Sequence, residues 1–446
     1  MREVLLCSRH GSILPGARKI GRRDADTAAR FAAIAMQTRS RGPAFLILFA
    51  ACAAGAGNGI SMVAFPWLVL QRNGSAWEAS LVAMAGTLPL LASTVIAGAA
   101  VDYIGRRRVS MISDALSGLS VAAVPVIALA FGVHAVNVAV LATLATLGAA
   151  FDPAGMTARE TMLPEAATRA RWTLDHANSV YEAVFNLAYI VGPGIGGMLI
   201  ATIGGIETMW VTAAAFGCSI LAISVLRLDG VGPPDRSELP EQVWAGVVEG
   251  LRFVWNLKVL RTLALIDLAV TGLYMPMEAV LFPKYFTDRN EPAQLGWVLM
   301  ALSIGGLVGA LSYAVLSKYM KRRTTMLIAV ITLGVAMTII AFLPPLPLIL
   351  GLSAIVGFVY GPIQPIYNYV MQTNAPTQLR GRVVGVMGSL AYAAGPLGLL
   401  LAGPLADSAG LHATFLALSV PMLLIGLVAI GLPALRDLDR DRAVDR

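Results

Sequence analysis

The sequence predicts an all-α integral membrane protein in which about twelve transmembrane helices form two pseudo-symmetric six-helix bundles. Three features predict this fold class: the composition, the spacing of the apolar runs and the distribution of the basic residues. Of the 446 residues, 57% are apolar and only 13% are charged. Soluble globular chains carry about 25% charged residues, so this chain lacks the polar surface that a fold in water requires.

The apolar residues are gathered in runs of about 20, the length that a helix needs to cross the hydrocarbon core of a bilayer. The predicted spans are 44–68, 79–100, 109–132, 136–157, 178–202, 206–226, 259–283, 295–316, 325–343, 347–372, 382–406 and 411–433. Strands of a membrane barrel would alternate apolar and polar residues. These runs do not alternate, so helices are predicted.

Basic residues are concentrated in alternate loops between the predicted spans. The basic loops contain Arg106, Arg107 and Arg108; Arg159, Arg169 and Arg171; Arg252 and Lys258; Lys318, Lys321, Arg322 and Arg323; and Arg380 and Arg382. The intervening loops contain only Arg72, Lys284 and Arg289. Basic loops of membrane proteins face the cytoplasm, so we expect both termini there. The same distribution accounts for the net charge of +7 and disfavours nucleic acid as a partner.

The chain is predicted to divide into 1–41, 42–227, 228–257, 258–433 and 434–446. The first segment is a disordered basic extension without the apolar core of a signal peptide, and Met36, just before the first span, is the expected translation start. The second and fourth segments are the two bundles. Between them, a Gly-Pro-Pro linker precedes apolar residues at helical spacing, which predict a cytoplasmic amphipathic helix on the membrane surface. The last segment is a charged cytoplasmic tail.

The two predicted bundles repeat one another in sequence. The stretch "DYIGRRRVSM" at Asp102–Met111 matches "SKYMKRRTTM" at Ser317–Met326 in its basic cluster and its Met. The dipeptide Gly192-Pro193 recurs as Gly395-Pro396. A repeat of six spans is typical of secondary transporters, in which the substrate passes between two bundles.

The stretch "VGPGIGGMLI" at Val191–Ile200 contains a G-x-G-x-x-G pattern, which raises the alternative of a dinucleotide-binding turn. Such a turn needs a strand before it and an acidic residue about 20 positions later, and the sequence offers neither. The small residues leave one helix face open to close packing, while Pro193 bends the helix. We therefore interpret the stretch as a transmembrane gate element.

Two motifs carry a resemblance to a known family. Gly192-Pro193-x-x-Gly196-Gly197 resembles the antiporter signature in the fifth span of drug exporters of the major facilitator superfamily, with Ala188 where those exporters usually have Gly. The stretch "GAAVDYIGRRRV" resembles the loop signature that follows the second span of this superfamily. The matching residues are Gly98, Asp102, Gly105, Arg106 and Arg107.

Longer stretches are similar to those of tetracycline and aminoglycoside efflux pumps of this superfamily: "RGPAFLILFA", "AFPWLVLQR", "GLRFVWNLKVLRTL", "VLFPKYFTD", "YGPIQPIYNYV" and "LRGRVVGVMGSLAYAAGPLGLLLAGPL". The resemblance implies the major facilitator fold, a location in the bacterial plasma (inner) membrane, and proton-driven drug export that confers antibiotic resistance. It also implies that spans one, four, seven and ten line a central cavity. We expect a monomer whose partners are small-molecule drugs, protons and the lipid bilayer.

The seventh span places Asp267, Thr271, Tyr274 and Glu278 on one helix face. An ionisable side chain in hydrocarbon is costly and indicates a functional site, and burial disfavours the charged form of a carboxyl. Asp267 and Glu278 are therefore candidates for proton coupling. The alternatives are a helix cap at the cytoplasmic end for Asp267 and solvation at the outer interface for Glu278.

Asp152 in the fourth span and Glu182 in the fifth are the other proton-coupling candidates. Asp152 precedes Pro153, which interrupts a helix and would expose the carboxyl to a cavity, whereas Glu182 has Asn186 one turn away. Both acids lie toward the cytoplasmic ends of their spans, so the alternative is that they reach to the membrane surface. The cavity that the resemblance implies favours Asp152 and does not favour Glu182.

The substrate-cavity candidates are Asn58 in the first span, Tyr274 in the seventh, and Tyr360, Gln364, Tyr367 and Asn368 in the tenth. The residues of the tenth span form a polar and aromatic stripe that can stack on, and hydrogen-bond to, a bulky and partly polar drug. The alternative for this stripe is ordinary core packing. Asn58 is neutral, so it can bind substrate but cannot relay a proton.

Asp102, Arg106 and Arg107 are predicted to form a latch at a cytoplasmic helix end. A carboxylate there can pair with guanidinium groups and with a helix N-terminus. The repeat has Ser317 at the position of Asp102, so a matching latch in the second bundle would be weaker. The alternative is that the arginines only hold the loop in the cytoplasm.

Other classes of function are disfavoured. The sequence contains no G-x-x-x-x-G-K-[ST] of an ATP-driven pump and no H-E-x-x-H or G-x-S-x-G of a membrane-embedded enzyme. Cys7, Cys52 and Cys218 are too scattered for a metal site, and no cofactor or metal is predicted. We predict a secondary active multidrug efflux transporter, with proton/drug antiport by alternating access. The alternative is export of an endogenous siderophore, lipid precursor or metabolite, with incidental drug transport.

Overall fold

The computed structural model describes residues 40–228, 243–375 and 379–439. Within these ranges the regular elements are helical and no strand occurs, which confirms the predicted all-α class. The predictions for nearly all of the N-terminal extension, including Met36 and Cys7, lie outside the described residues. The same holds for residues 229–242 of the linker and residues 440–446 of the tail.

The helices follow one another with short connections. In chain order they are α1 (Gly42–Asn73), α2 (Ala76–Ile104), α3 (Arg106–Phe131), α4 (Val138–Ala149), α5 (Asp152–Ala170), α6 (Leu174–Ile203), α7 (Gly205–Val225), α8 (Val243–Asn256), α9 (Lys258–Pro276), α10 (Phe282–Thr287), α11 (Pro292–Leu316), α12 (Arg322–Ile340), α13 (Leu346–Tyr360), α14 (Ile363–Asn374) and α15 (Arg380–Gly431). A π-helical segment, Met277–Leu281, joins α9 to α10. Short 3-10 helices occupy Val133–Ala135 and Pro433–Asp439.

Twelve segments of the described chain are suited to cross a membrane. Ten helices are long and apolar enough to do so. The longest, 386–431, contains Gly410 with a φ of +83°; glycine adopts this value readily, and the chain turns there into a second crossing. Helix α2, with its apolar part Ala76–Leu91, supplies the remaining one. The predicted number of about twelve helices is thereby confirmed.

The fourth and tenth crossings each consist of two helices separated by a break at a proline. In the fourth crossing, α4 ends at Ala149 and α5 begins at Asp152, with Pro153 in its first turn. Proline has no amide hydrogen and is tolerated at a helix start but not in its interior, which explains the break that Pro153 predicts. The tenth crossing is divided in the same way by Pro362, between α13 and α14.

Several helix starts are fixed by their own side chains. Ser75, Asn137 and Thr173 precede α2, α4 and α6, and each accepts a hydrogen bond from the backbone amide three residues later. Such caps satisfy amides that have no partner within the helix. The local sequence therefore determines where these crossings begin.

We call residues 40–228 the first half and residues 243–439 the second half. In the first half, α1 packs on α6 and α7; in the second, α9 packs on α15, and α11 packs on α13. The halves meet where α6 packs on α11 and where α2 packs on α15. These pairs join the fifth crossing to the eighth and the second to the eleventh. In the six-span repeat the second crossing corresponds to the eighth and the fifth to the eleventh, so the repeat relates the two contacts to each other. We call the end with the α1–α2 connection the Gly74 end, and the opposite end, with Arg106 and Lys321, the basic end.

Candidate functional site

A cavity of about 360 Å³ lies among helices of the second half. Its walls come from α9, the π-helical segment, α11, α12, α13 and α14. The polar side chains that line it are Asp267, Thr271, Tyr274, Glu278, Ser303, Tyr360, Gln364 and Tyr367. The cavity therefore combines two carboxyl groups and three tyrosines with apolar walls, a mixture typical of small-molecule sites.

One wall is the helix face that the sequence predicts in the seventh span. Helix α9 presents Asp267, Thr271 and Tyr274 to the cavity, and the π-helical segment that follows presents Glu278. This segment lies between Pro276 and Pro283, and Pro283 cannot donate the amide hydrogen bond that an uninterrupted helix would need. Short π-helical segments are frequent at functional sites. The structure thus brings Asp267 and Glu278 to the same cavity.

The opposite wall is formed by part of the predicted stripe of the tenth span. Tyr360, Gln364 and Tyr367 line the cavity, and the buried Tyr367 side chain faces the carboxyl of Asp267. Asn368 lies one helical turn after Gln364 and accepts a hydrogen bond from Nε2 of Gln364 at 3.3 Å. Asn368 therefore positions Gln364 and is not itself among the lining residues.

The hydroxyl of Tyr274 is buried beside the carboxyl of Glu278, one helical turn further along the same wall. Both groups line the cavity. A polar group of a molecule bound on this side would therefore meet the hydroxyl and the carboxyl together.

A second polar site joins α1 to α5 in the first half. The Nδ2 atom of Asn58 donates to both carboxylate oxygens of Asp152, each at 3.1 Å. Their residue types inside apolar spans select both residues but do not predict that they touch, because they lie on different helices. Asp152 also lies at the break between α4 and α5, which leaves it half-buried.

Sequence reasoning missed a buried ion pair near this site. Nη1 of Arg159 lies 2.9 Å from Oδ1 of Asp114, and the side chains are 0% and 1% exposed; the hydroxyl of Ser219 donates to Oδ2 of Asp114 at 2.6 Å. The assignment of Arg159 to a basic loop is wrong, because Arg159 lies inside α5. Arg159 lies two helical turns after Asp152, on the same helix face. This spacing could have indicated that Arg159 points into the protein.

The predicted candidate Glu182 lies elsewhere. Its side chain is exposed on α6 and accepts a hydrogen bond from Nδ2 of Asn186 at 3.2 Å. It does not line the cavity of the second half. The structure therefore does not bring Glu182 together with Asp267 or Glu278.

The predicted latch contributes two arginines with partners in the first half. Nη1 of Arg106 lies 2.8 Å from Oε1 of Glu165 in α5, and Arg107 donates to the backbone carbonyl of Ser224 in α7. Both contacts tie the start of α3 to neighbouring helices. The side chain of Asp102 and the surroundings of Gly98 lie outside the described parts, so the pairing of Asp102 stays a prediction.

The glycine motif lies within one helix between the halves. Helix α6 runs without interruption through Gly192, Pro193, Gly196 and Gly197, and no strand precedes it in the described chain. A dinucleotide-binding turn is therefore excluded, as the sequence predicts.

The glycines of α6 allow close contact with two helices. A Cβ on Gly192 would lie 2.7 Å from Cα of Gly59 in α1, and a Cβ on Gly196 would lie 3.2 Å from Cα of Ile60. On the other side, a Cβ on Gly296 of α11 would lie 2.7 Å from the carbonyl oxygen of Pro193. Backbone contacts of this kind need small residues. The motif therefore packs α6 between α1 and the second half.

Comparison with known proteins identifies relatives over nearly the whole chain. The family model described as Major Facilitator Superfamily matches residues 47–398 and 279–444. The chain is 81% identical over 404 residues to the multidrug efflux pump Tap of Mycolicibacterium fortuitum, which covers 91% of this chain and 99% of that protein. It is 68% identical over 404 residues to the multidrug efflux pump Tap of Mycobacterium tuberculosis, covering 91% of this chain and 96% of that protein.

The fold itself is shared with solved structures. The crystal structure of the nucleoside transporter NupG superposes with a TM-score of 0.69 and 10% sequence identity. The match covers 87% of this chain and 98% of that one. At this level of identity the likeness concerns the arrangement of helices alone.

Proposed function

Because the chain belongs to the major facilitator superfamily, we propose that it is a secondary active multidrug efflux transporter that exchanges protons for drugs. The superfamily consists of transporters, not enzymes, and the chain is a multi-pass membrane protein. The observation that carries the proposal is the 81% identity to a multidrug efflux pump over 99% of its length. Tetracycline-like and aminoglycoside-like compounds, which the sequence resemblance implies as substrates, are the first to test.

The cavity of the second half is the proposed drug site. Its tyrosines offer flat faces on which a ring system can stack, and Gln364 and the hydroxyl of Tyr274 offer hydrogen bonds. Asp267 and Glu278 offer negative charge to an amine of the drug. Asn58, at the pair with Asp152, is proposed to contact substrate from the first half.

Proton coupling is proposed to use Asp267 or Asp152. In the cycle, a proton from outside binds the carboxyl and is released to the cytoplasm, while one drug molecule moves in the opposite direction. A carboxyl at membrane depth favours its neutral form unless water or a partner reaches it. When water reaches such a group first from outside and then from the cytoplasm, the group therefore binds a proton on one side and releases it on the other.

Two of the helix pairs that join the halves support alternating access. Helix α6 packs on α11 and α2 packs on α15, and the glycines bring the backbones of α6 and α11 close together. We propose that the halves rock against one another along these helix pairs, with the basic end and both termini in the cytoplasm, as the distribution of arginines and lysines favours.

The test is drug-driven proton release from liposomes that contain the purified protein. Vesicles with an internal pH indicator receive tetracycline or an aminoglycoside on one side, and an outward movement of protons coupled to drug entry is expected. Protein-free liposomes are the control. If no compound of a panel moves protons, while cells lacking the protein retain a native metabolite, export of an endogenous compound replaces the proposal.

A further inference from the structure

The first turn of α2 is held by a side chain from the other half. The carboxylate of Asp407, in α15, accepts hydrogen bonds from the backbone amide of Ala76 at 2.8 Å and from that of Trp77 at 2.9 Å. It also accepts one from the hydroxyl of Ser75 at 2.9 Å. Asp407 and Ala76 are 331 residues apart in the chain, so the N-terminus of α2 is capped in part from the second half.

This contact is not needed for α2 to begin at Ser75. The hydroxyl oxygen of Ser75 already accepts a hydrogen bond from the amide of Glu78 at 3.2 Å, which is an ordinary local cap. Asp407 satisfies two further amides that the helix leaves without partners, and its negative charge lies at the positive end of the helix dipole. The added stabilisation therefore belongs to the contact between the halves.

A glycine brings the two helices close enough for this contact. Gly403 lies one turn before Asp407, and a Cβ on Gly403 would lie 2.9 Å from Cα of Trp77. The missing side chain lets the backbone of α15 approach α2 and places Asp407 over its first turn. At the same end, Gly296 and Pro193 join α11 to α6. The halves are thus in contact at both helix pairs of the Gly74 end.

We propose that Asp407 is a latch residue that closes the Gly74 end by capping α2 across the two halves. A movement that separates the halves there must break all three hydrogen bonds. Asp407 is exposed, so water can replace its partners and opening leaves no buried unpaired charge. A capping contact of moderate strength suits a switch, because it biases a two-state equilibrium without fixing it.

The latch extends the alternating-access part of the proposed function, and its test requires neither drug nor proton gradient. Cys7, Cys52 and Cys218 are replaced by Ser, and spin labels are attached after Ala201→Cys and Ala413→Cys. Both alanines are exposed, and they lie in α6 and α15, on different halves at the Gly74 end. Pulsed electron-spin resonance of the purified protein in nanodiscs then measures the distance between the halves.

In the background protein, a short distance that matches the closed Gly74 end should dominate. Asp407→Asn and Asp407→Ala should each raise the ratio of long to short distances, on the order of tenfold. Glu78→Gln is the matched control, since it removes a carboxylate from the same turn of α2 whose partner, Asn73, lies in the same half. It should leave the ratio at the background value.

An unchanged ratio in both Asp407 variants would overturn the latch, and so would an equal increase in Glu78→Gln. If the Asp407 variants do not fold, Ser75→Gly serves instead, because glycine is tolerated at a helix cap. It removes one of the three hydrogen bonds and should raise the ratio by a smaller amount; a background ratio in this variant also contradicts the latch. The distances are measured without drug or proton gradient, so they do not depend on whether the protein exports drugs. The latch and the proposed function can therefore be contradicted separately.

Discussion

The amide of Asn58 and the carboxylate of Asp152 form a two-point contact, with Nδ2 3.1 Å from both Oδ1 and Oδ2. This contact joins the first crossing to the break in the fourth, and it links a substrate-cavity candidate with a proton-coupling candidate. A hydrogen bond to a charged group contributes about 1.5–3 kcal/mol to stability. The pair is therefore expected to be measurable by substitution.

The first prediction concerns variants in which the two residues of this pair are exchanged. Asn58→Asp places two carboxyl groups together, and Asp152→Asn leaves two amides, so each single variant should lower the melting temperature of the purified protein. The double variant restores one amide and one carboxylate and should recover most of the loss. A double variant whose loss equals the sum of the single losses would show that the pair does not stabilise the protein.

The second prediction separates the candidates for proton coupling. Asp267→Asn or Asp152→Asn should abolish drug-driven proton release in liposomes while leaving expression intact, because an amide cannot exchange a proton at neutral pH. Glu182→Gln should retain release, since Glu182 is exposed and lies outside the cavity. The proton assignment fails if both aspartate variants still pump drug against a gradient.

The third prediction concerns the tyrosines of the cavity. Tyr274→Phe, Tyr360→Phe and Tyr367→Phe each remove one hydroxyl from the lining and should raise the KM for export by about two- to tenfold, since a net hydrogen bond contributes about 0.5–1.5 kcal/mol. Tyr319→Phe, at a position 81% exposed, is the control and should leave KM unchanged. Equal KM values for all four variants would remove the cavity as the drug site.

Local patterns predicted what a single helix determines. The common face of Asp267, Tyr274 and Glu278 follows from helical periodicity, and the break at Pro153 follows from its missing amide hydrogen. Contacts between residues of different helices could not be predicted from these patterns. The partner of Asn58 is 94 residues away in the chain, and that of Asp407 is more than three times as far. These residues come into contact only because of the way the helices pack, and the periodicity of a single sequence does not reveal that packing.

The assignment of Arg159 to a loop shows the same limit. A count of arginines along the chain treats each as a surface charge, and a buried Arg is exceptional. Only the packing of α3, α5 and α7 reveals that this guanidinium pairs with Asp114, whose carboxylate also accepts a hydrogen bond from Ser219. The motif of α6 was easier to interpret, because glycine and proline have few roles inside an apolar helix.

The fourth prediction tests the glycine contact of α6. In Gly192→Ala, the added Cβ would lie 2.7 Å from Cα of Gly59, and the backbone of α1 cannot yield as a flexible side chain would. The free energy of unfolding should fall by about 1–3 kcal/mol, and export should fall with it. Gly217→Ala, on the neighbouring α7, is the control, because its Cβ would meet nothing within 4 Å. Equal stability of the two variants would mean that close packing at Gly192 is unimportant.

The fifth prediction concerns the buried pair of Arg159 and Asp114. Arg159→Met should lower the free energy of unfolding by about 3–5 kcal/mol, because it leaves the carboxylate of Asp114 buried without its partner. The double variant Arg159→Met, Asp114→Leu should recover most of this loss, since neither charge then remains buried. Chemical denaturation in detergent, monitored by tryptophan fluorescence, measures both.

Arg106→Gln supplies the control for this comparison. Arg106 and Glu165 form an ion pair of the same length class, 2.8 Å, but their side chains are 31% and 35% exposed, so water compensates for a lost partner. Its substitution should cost at most about 1 kcal/mol. If Arg159→Met lowers the free energy of unfolding no more than Arg106→Gln does, the Asp114 carboxylate must be hydrated or protonated. The first half would then not require this buried pair for its stability.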